Sequence, residues 1–114
     1  MKKRFEVTFL DEALDFLKSL EKKHYKKILY NIRKAQMEND PELFKKLIGE
    51  IWEFRTLYEG LQYRFLAFWD KTSPNTLVIS THGIIKKQSK LPDKEIQKAN
   101  QIRIKYFEEK QLNN

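Results

Sequence analysis

Residues 51–87 read IWEFRTLYEGLQYRFLAFWDKTSPNTLVISTHGIIKK. Three runs rich in β-branched and aromatic residues are divided by Glu59-Gly60 and by the stretch from Asp70 to Asn75, which is the pattern of a three-stranded antiparallel meander. A two-residue turn at Glu59-Gly60 sets Tyr58 opposite Leu61, and counting back places Phe54 opposite Phe65 and Arg55 opposite Arg64. Alternation then assigns Trp52, Phe54, Tyr58, Leu61, Tyr63, Phe65 and Ala67 to one face, a core face. Ile51, Glu53, Arg55, Leu57, Gln62, Arg64, Leu66 and Phe68 take the other, which need not be covered.

Two arginines facing each other on one side of a hairpin repel. Either Glu53, the one acid on that face of the hairpin, relieves them in an Arg–Glu–Arg cluster, or an anion binds between them. The two readings separate by experiment. An anion site predicts that alanine at Arg55 or Arg64 removes activity and leaves stability level, whereas a cluster predicts that alanine costs stability.

Outward from the meander, the chain has 114 residues and reads as a single domain over 1–114. It has no cysteine, which excludes disulfides and thiolate metal sites and fits a cytoplasmic protein. No apolar run is long enough for a bilayer, so no membrane partner is expected. The basic start Met1-Lys2-Lys3-Arg4 is followed by Glu6, Asp11 and Glu12, unlike a signal peptide. The formal charge of +7 suits a polyanionic partner, although a lysine-rich composition alone discriminates little.

Arg4 to Leu10 alternates as a short strand. Asp11 is the expected N-cap of a helix with the stripe Ala13, Leu14, Phe16, Leu17 and Leu20. A second helix, with Tyr25, Ile28, Leu29, Ile32 and Ala35 on one side, runs to about Asn39 and is stopped by Asp40-Pro41. Residues 41–49 read as a connector, at most one helical turn. Pro92 opens a last helix striped by Ile96, Ala99, Ile102 and Tyr106, and the polar tail from Gln111 to Asn114 is expected to fray. The order is β-α-α-β-β-β-α. This is an α+β fold, an antiparallel sheet with two N-terminal helices on one face and a C-terminal helix.

The chemistry that stands out is cationic. His24 and His82 are far apart, the acids are scattered, and three glycines make no phosphate loop, so no metal site and no cofactor are expected. Arg55 and Arg64 share a face, Lys86 and Lys87 end the third strand of the meander, and Lys90 follows. Phe68, Trp69 and Tyr106 are candidates for stacking on bases. Cations beside aromatic rings suit single-stranded RNA. RNA carries its own nucleophile, the 2′-hydroxyl, so cleavage needs only a proton taken, charge neutralised on the phosphorane and a proton returned. A lysine crowded by other cations serves as a base, and arginines give bidentate phosphate contacts.

The pieces Ile51-Trp52-Glu53-Phe54-Arg55, Tyr63-Arg64, His82-Gly83-Ile84-Ile85-Lys86-Lys87 and Pro92-Asp93-Lys94-Glu95-Ile96, with Ala99 and Arg103 after them, resemble the phage-derived Gp49-like, HigB-type branch of the RelE/ParE toxin superfamily. The resemblance runs from Leu47 to Tyr106. It departs from the family at Ile84, where phenylalanine is usual, and at Leu91, where threonine is usual. It implies a RelE-like fold and the toxin of a type II toxin–antitoxin module, a ribosome-dependent, metal-independent endoribonuclease (mRNA interferase). Its implied partners are the ribosome with its mRNA and a HigA-like helix-turn-helix antitoxin from the adjacent gene. By the same resemblance Arg55, Arg64, Lys86 and Lys87 are the candidate catalytic residues, with His82 and Tyr106 as weaker ones, while Lys90, Phe68 and Trp69 are candidate RNA-binding residues from the reading of cations beside aromatic rings. The superfamily also holds ParE-like gyrase inhibitors, so a non-catalytic inhibitor or an RNA-binding module of the same fold is the alternative.

Overall fold

In the computed structural model, which describes residues 2–72 and 74–113, the elements follow as β1 (Glu6–Phe9), α1 (Asp11–Lys18), α2 (Lys22–Met37), β2 (Phe44–Ile48), β3 (Ile51–Tyr58), β4 (Leu61–Asp70), β5 (Leu77–Lys86) and α3 (Asp93–Leu112). Met1, Ser73 and Asn114 fall outside the described residues. The expectations for the basic start, the second turn of the meander and the frayed tail therefore bear only on the residues beside them, and Gln111 and Leu112 still belong to α3. The architecture is the expected α+β. The sheet order is β1-β5-β4-β3-β2, antiparallel except where β1 lies parallel to β5.

The hairpin has the register counted from its turn. Glu59 and Gly60 both take positive φ, 48° and 79°, which is the twist a two-residue hairpin needs, and Arg55 pairs with Arg64. The core face is as assigned except next to the turn, where Leu61 is exposed because no helix reaches it. Phe54, Tyr63, Phe65 and Ala67 are buried there with Phe5, Phe44 and Val78 beneath Ala13 and Leu17 of α1 and Ile28, Ile32 and Ala35 of α2.

Several details differ from the sequence reading. The sheet is mixed rather than wholly antiparallel, because β1 pairs parallel with the distant β5, and Pro92 is the N-cap of α3 rather than its first residue. The connector at 41–49 contains β2, an edge strand antiparallel to β3. Its FKKLI sequence does not alternate because an edge strand has little to bury: Phe44 is in the core, while Lys45 and Lys46 are both exposed. Asp11 is the first helical residue of α1 rather than its cap, a position held by Leu10 without a side-chain hydrogen bond. The second face is covered over part of its length. Helix α3 lays Ile96, Ala99, Tyr106 and Phe107, with Leu91 of the loop before it, over Ile51, Leu66, Phe68 and Ile79, making a second core. Among the described residues no helix is long and apolar enough to cross a membrane.

Gly83 has a packing reason for its place in the His-Gly segment. A Cβ there would lie 2.6 Å from the Phe16 ring of α1 and 2.8 Å from the Phe65 ring of β4. Both rings are locked in an edge-to-face pair with centroids 5.7 Å apart, so neither has room to withdraw. We expect Gly83→Ala to lower unfolding free energy by about 1–3 kcal/mol, the usual cost of overpacking. Urea melts check this, and an unchanged midpoint would mean that α1 yields freely.

Candidate active site

Because α3 starts only at Asp93, it covers one end of its sheet face and leaves the other open. At the open end, successive rungs of the sheet carry Lys45, Glu53, Leu66 and His82, then Arg55, Arg64 and Ile84, then Leu57, Gln62 and Lys86. The loop after β5 folds Ser89 and Lys90 over this end. The result is a cleft of about 360 Å³ lined by Lys45, Leu47, Ile48, Glu53, Arg55, Lys86, Ser89, Lys90, Leu91, Asp93 and Ile96.

Four of these residues are cationic, and the two acids among them are already engaged. Glu53 is buried, with one carboxylate oxygen 3.3 Å from Nε of Arg64 and the other 3.7 Å from Nε of Arg55. Asp93 lies 4.0 Å from Lys90 at the exposed rim, a contact of little energetic weight. The two arginines differ sharply. Arg64 is only 3% exposed; its Nη1 donates to the Tyr63 carbonyl (3.0 Å) and its Nη2 to Oε1 of Gln62 (3.1 Å), while its Nε pairs with Glu53 by charge alone, without a hydrogen bond. Burial works against its charge, Glu53 supports it and Arg55 opposes it, with a net downward shift. The Arg55 side chain keeps 27% of its surface and opens into the cleft. Glu53 thus relieves the cross-strand repulsion, and one arginine remains available to a ligand.

The other candidates separate by position. Lys86, partly buried, and Lys90 line the cleft; Lys87, one residue past the strand, is exposed and does not. Phe68 is fully buried against Tyr106 and Phe107, so its ring is a core contact rather than a stacking surface. Trp69 packs edge-on against Phe5 and Trp52 in the first core and is likewise occupied. Tyr106 lies ten residues along α3 from Ile96, about 15 Å at the helical rise. Its hydroxyl donates to Oδ2 of Asp70 at 2.6 Å, away from the cleft.

His82 is 1% exposed and faces the helix rather than solvent. Its Nε2 lies 3.0 Å from Oε1 of Glu95, and its Nδ1 lies 2.9 Å from the Thr81 hydroxyl. A carboxylate only accepts, so Nε2 carries the proton and Nδ1 accepts from Thr81. The ring ties the first turn of α3 to β5 and so sets the wall of the cleft formed by Asp93 and Ile96. Burial pushes its pKa below the ordinary 6.5 despite Glu95, with Lys98 also opposing the charged form. A histidine with a depressed folded value leaves stability intact above 6.5. Stability falls as pH drops below it, because the unfolded chain takes the proton first. Melting temperatures of the native protein and of His82→Gln, followed from neutral pH down toward the carboxylate range, are expected to differ in slope, with the variant flatter. Parallel curves would remove His82 from this role.

Sequence reasoning missed Lys45 and Glu95. Lys45 becomes visible only once β2 is recognised as a strand, because it then sits directly opposite Glu53. Glu95 had no signal apart from its place in the helix opening. Among the described residues no group of three histidine, cysteine or acidic side chains is arranged to hold a metal ion.

Comparison with known proteins bears on this geometry. The family described as phage derived protein Gp49-like (DUF891) matches residues 15–104. The chain belongs to the phage-derived Gp49-like family. That family is one of RelE/HigB-like toxins, in general the toxins of toxin–antitoxin pairs. The matched span contains all of β2 to β5 and therefore every residue lining the cleft, while β1 and the Tyr106–Lys110 end of α3 lie outside it. None of the curated proteins matches the chain.

Proposed function

We propose that this Gp49-like chain is the toxin of a type II toxin–antitoxin module and acts as a ribosome-dependent endoribonuclease on translated mRNA, without a catalytic metal ion. The observation that carries the reading is the convergence of Lys45, Arg55, Lys86 and Lys90 on one cleft with only two acids, of which the buried Glu53 is held by Arg64 and Arg55. Such a cleft has a net positive charge and suits one backbone phosphate with its flanking nucleotides.

In this reading the mRNA supplies the 2′-hydroxyl nucleophile. Arg55 gives charge-assisted hydrogen bonds to the phosphate and neutralises the charge that grows on the phosphorane. Lys86, in the cleft wall beside it, exchanges the proton, and Lys45, Lys90 and the exposed Lys87 hold the strand. Arg64 acts behind them, fixing Glu53 and through it Arg55. His82 positions the wall, and Tyr106, Phe68 and Trp69 take no part in the chemistry. The antitoxin, a helix-turn-helix protein from the adjacent gene, silences the toxin by covering the cleft or the Lys86–Lys90 loop.

The test is cleavage of mRNA on translating ribosomes by the purified protein, read by primer extension. EDTA is titrated below the level that dismantles the ribosomes. Cuts that persist at sub-stoichiometric free metal and vanish in Lys86→Ala support the reading. Loss of cutting with EDTA on intact ribosomes would overturn the metal-free mechanism. Inhibited supercoiling by gyrase with intact mRNA would replace it by the ParE-like alternative.

A further inference from the structure

On the other face and at the other edge of the sheet lies a second groove, of about 400 Å³, between β1 and α2. Its floor and walls include Val7, Phe9, Leu29 and Ile32, and its rim carries Lys26 and Arg33 together with Lys3, which pairs with the one acid of the lining, Glu6, at 3.5 Å. Two features of this place have no use in the fold or in the cleft. The first is the outer edge of β1, which among the described residues pairs only with β5. The amide of Glu6 donates to the Thr76 carbonyl at 2.8 Å and that of Leu10 to the Ser80 carbonyl at 3.0 Å. In a parallel pair, alternate residues turn both backbone groups toward the same neighbour. Glu6, Thr8 and Leu10 therefore face β5, and the N–H and C=O of Val7 and Phe9 face outward beside the groove.

The second feature is charge. Helix α2 carries Lys22, Lys23, Lys26, Lys27, Arg33 and Lys34 and no acid over its sixteen residues. Lys23 is paired with Glu59, and Lys27 sits over the ring of Tyr30, itself 61% exposed. Lys26 and Arg33, at the groove, are exposed. The opposite edge of the sheet is different. β2 is blunted by Lys45, Lys46 and a bulge between Lys46 and Ile48, devices that discourage strand addition.

We propose that the β1 edge and the α2 groove form a docking surface for an extended acidic peptide segment of a partner protein, which adds as a strand to β1. Its main chain pairs with Val7 and Phe9. Its apolar side chains at alternate positions enter the groove over Val7, Phe9 and Leu29, and its carboxylates meet Lys26 and Arg33. Nucleic acid would be drawn by the same cations, but it has no use for a row of outward peptide groups over an apolar floor. The surface is separate from the cleft and does not rest on the nuclease reading.

The probe is a short blocked peptide of alternating glutamate and valine, titrated into the native protein by calorimetry, with amide hydrogen exchange as the site readout. Saturable binding that protects the Val7 and Phe9 amides is expected, weakening with added salt. Val7→Pro removes one outward N–H at a place where an edge strand tolerates proline, and is expected to weaken binding about tenfold. Lys26→Glu with Arg33→Glu changes only exposed side chains, is expected to weaken binding at least as much, and covers the case in which Val7→Pro unfolds. Absence of binding, or protection appearing at β2 instead, overturns the proposal. So does binding of oligouridylate RNA that depends on Lys26 and Arg33 while the peptide does not bind. Neither pair of substitutions touches the cleft, so cleavage by the free variants reports separately on the nuclease reading.

Discussion

Replacing Arg55 by alanine is expected to remove most of the activity at nearly native stability, and replacing Arg64 by alanine is expected to do the reverse. Arg55 is partly open to the cleft, and its pair with Glu53 is long at 3.7 Å. Its loss leaves Glu53 held by Arg64 and relieves a like-charge neighbour, so stability changes by no more than about 1 kcal/mol. A phosphate contact that strengthens in the transition state is worth about 3–4 kcal/mol, or a hundredfold or more in rate. Arg64 is buried, and its removal leaves the Glu53 carboxylate out of water with a single distant partner. That costs about 3 kcal/mol or more, and lost activity follows from lost fold. Thermal melts, with growth and cleavage assays on both variants, check the pair. Arg64→Ala with native melting and no activity would return Arg64 to the ligand site. A double-mutant cycle of Glu53→Gln with Arg64→Ala is expected to be non-additive by about 1–3 kcal/mol, because the two side chains share one contact.

The second large effect lies at the far end of α3. Asp70, fully buried at the end of β4, accepts from the Tyr106 hydroxyl and the Lys110 ammonium, each at 2.6 Å, and from the hydroxyl and amide of Thr72 at 2.6 and 2.9 Å. Burial raises its pKa, but the donors from Lys110, Thr72 and Tyr106 outweigh burial and hold it well below the usual carboxylate range. Asp70→Ala strips a charged acceptor from these donors and is expected to cost about 3 kcal/mol and to loosen α3 from its tail. The clamp has two pH limits. A depressed carboxylate contributes stability above its ordinary 3.8, and that contribution is lost as pH falls below it. Tyr106 is pushed up to about 12, first by burial and then by Asp70. Stability is therefore also lost as pH rises past the ordinary tyrosine value of 10.0, where the unfolded chain gives up the proton first. Tyr106→Phe is expected to flatten the alkaline limb and Asp70→Asn the acid one. An alkaline limb unchanged in Tyr106→Phe would assign it to another group.

Which of these effects was legible beforehand follows the range of the interactions. The β3–β4 register, and with it Arg55 opposite Arg64, was determined by the sequence alone, because a two-residue turn and period-two alternation are local properties. So were the core faces of α1 and α2, whose apolar stripes recur at helical spacing. The pairing of β1 with β5, the strand at Phe44–Ile48 and the cover of α3 over the second face were decided only by the tertiary structure. An edge strand has too little to bury for its pattern to show, and a parallel partner just over seventy residues away leaves no local mark. The site divided the same way. Sequence placed the two arginines on one face, but burial decided that Arg64 holds Glu53 while Arg55 stays open to the cleft. It also placed His82 and Tyr106 in contacts that tie α3 to the sheet, because the charge a buried group carries depends on partners that the fold brings from elsewhere in the chain.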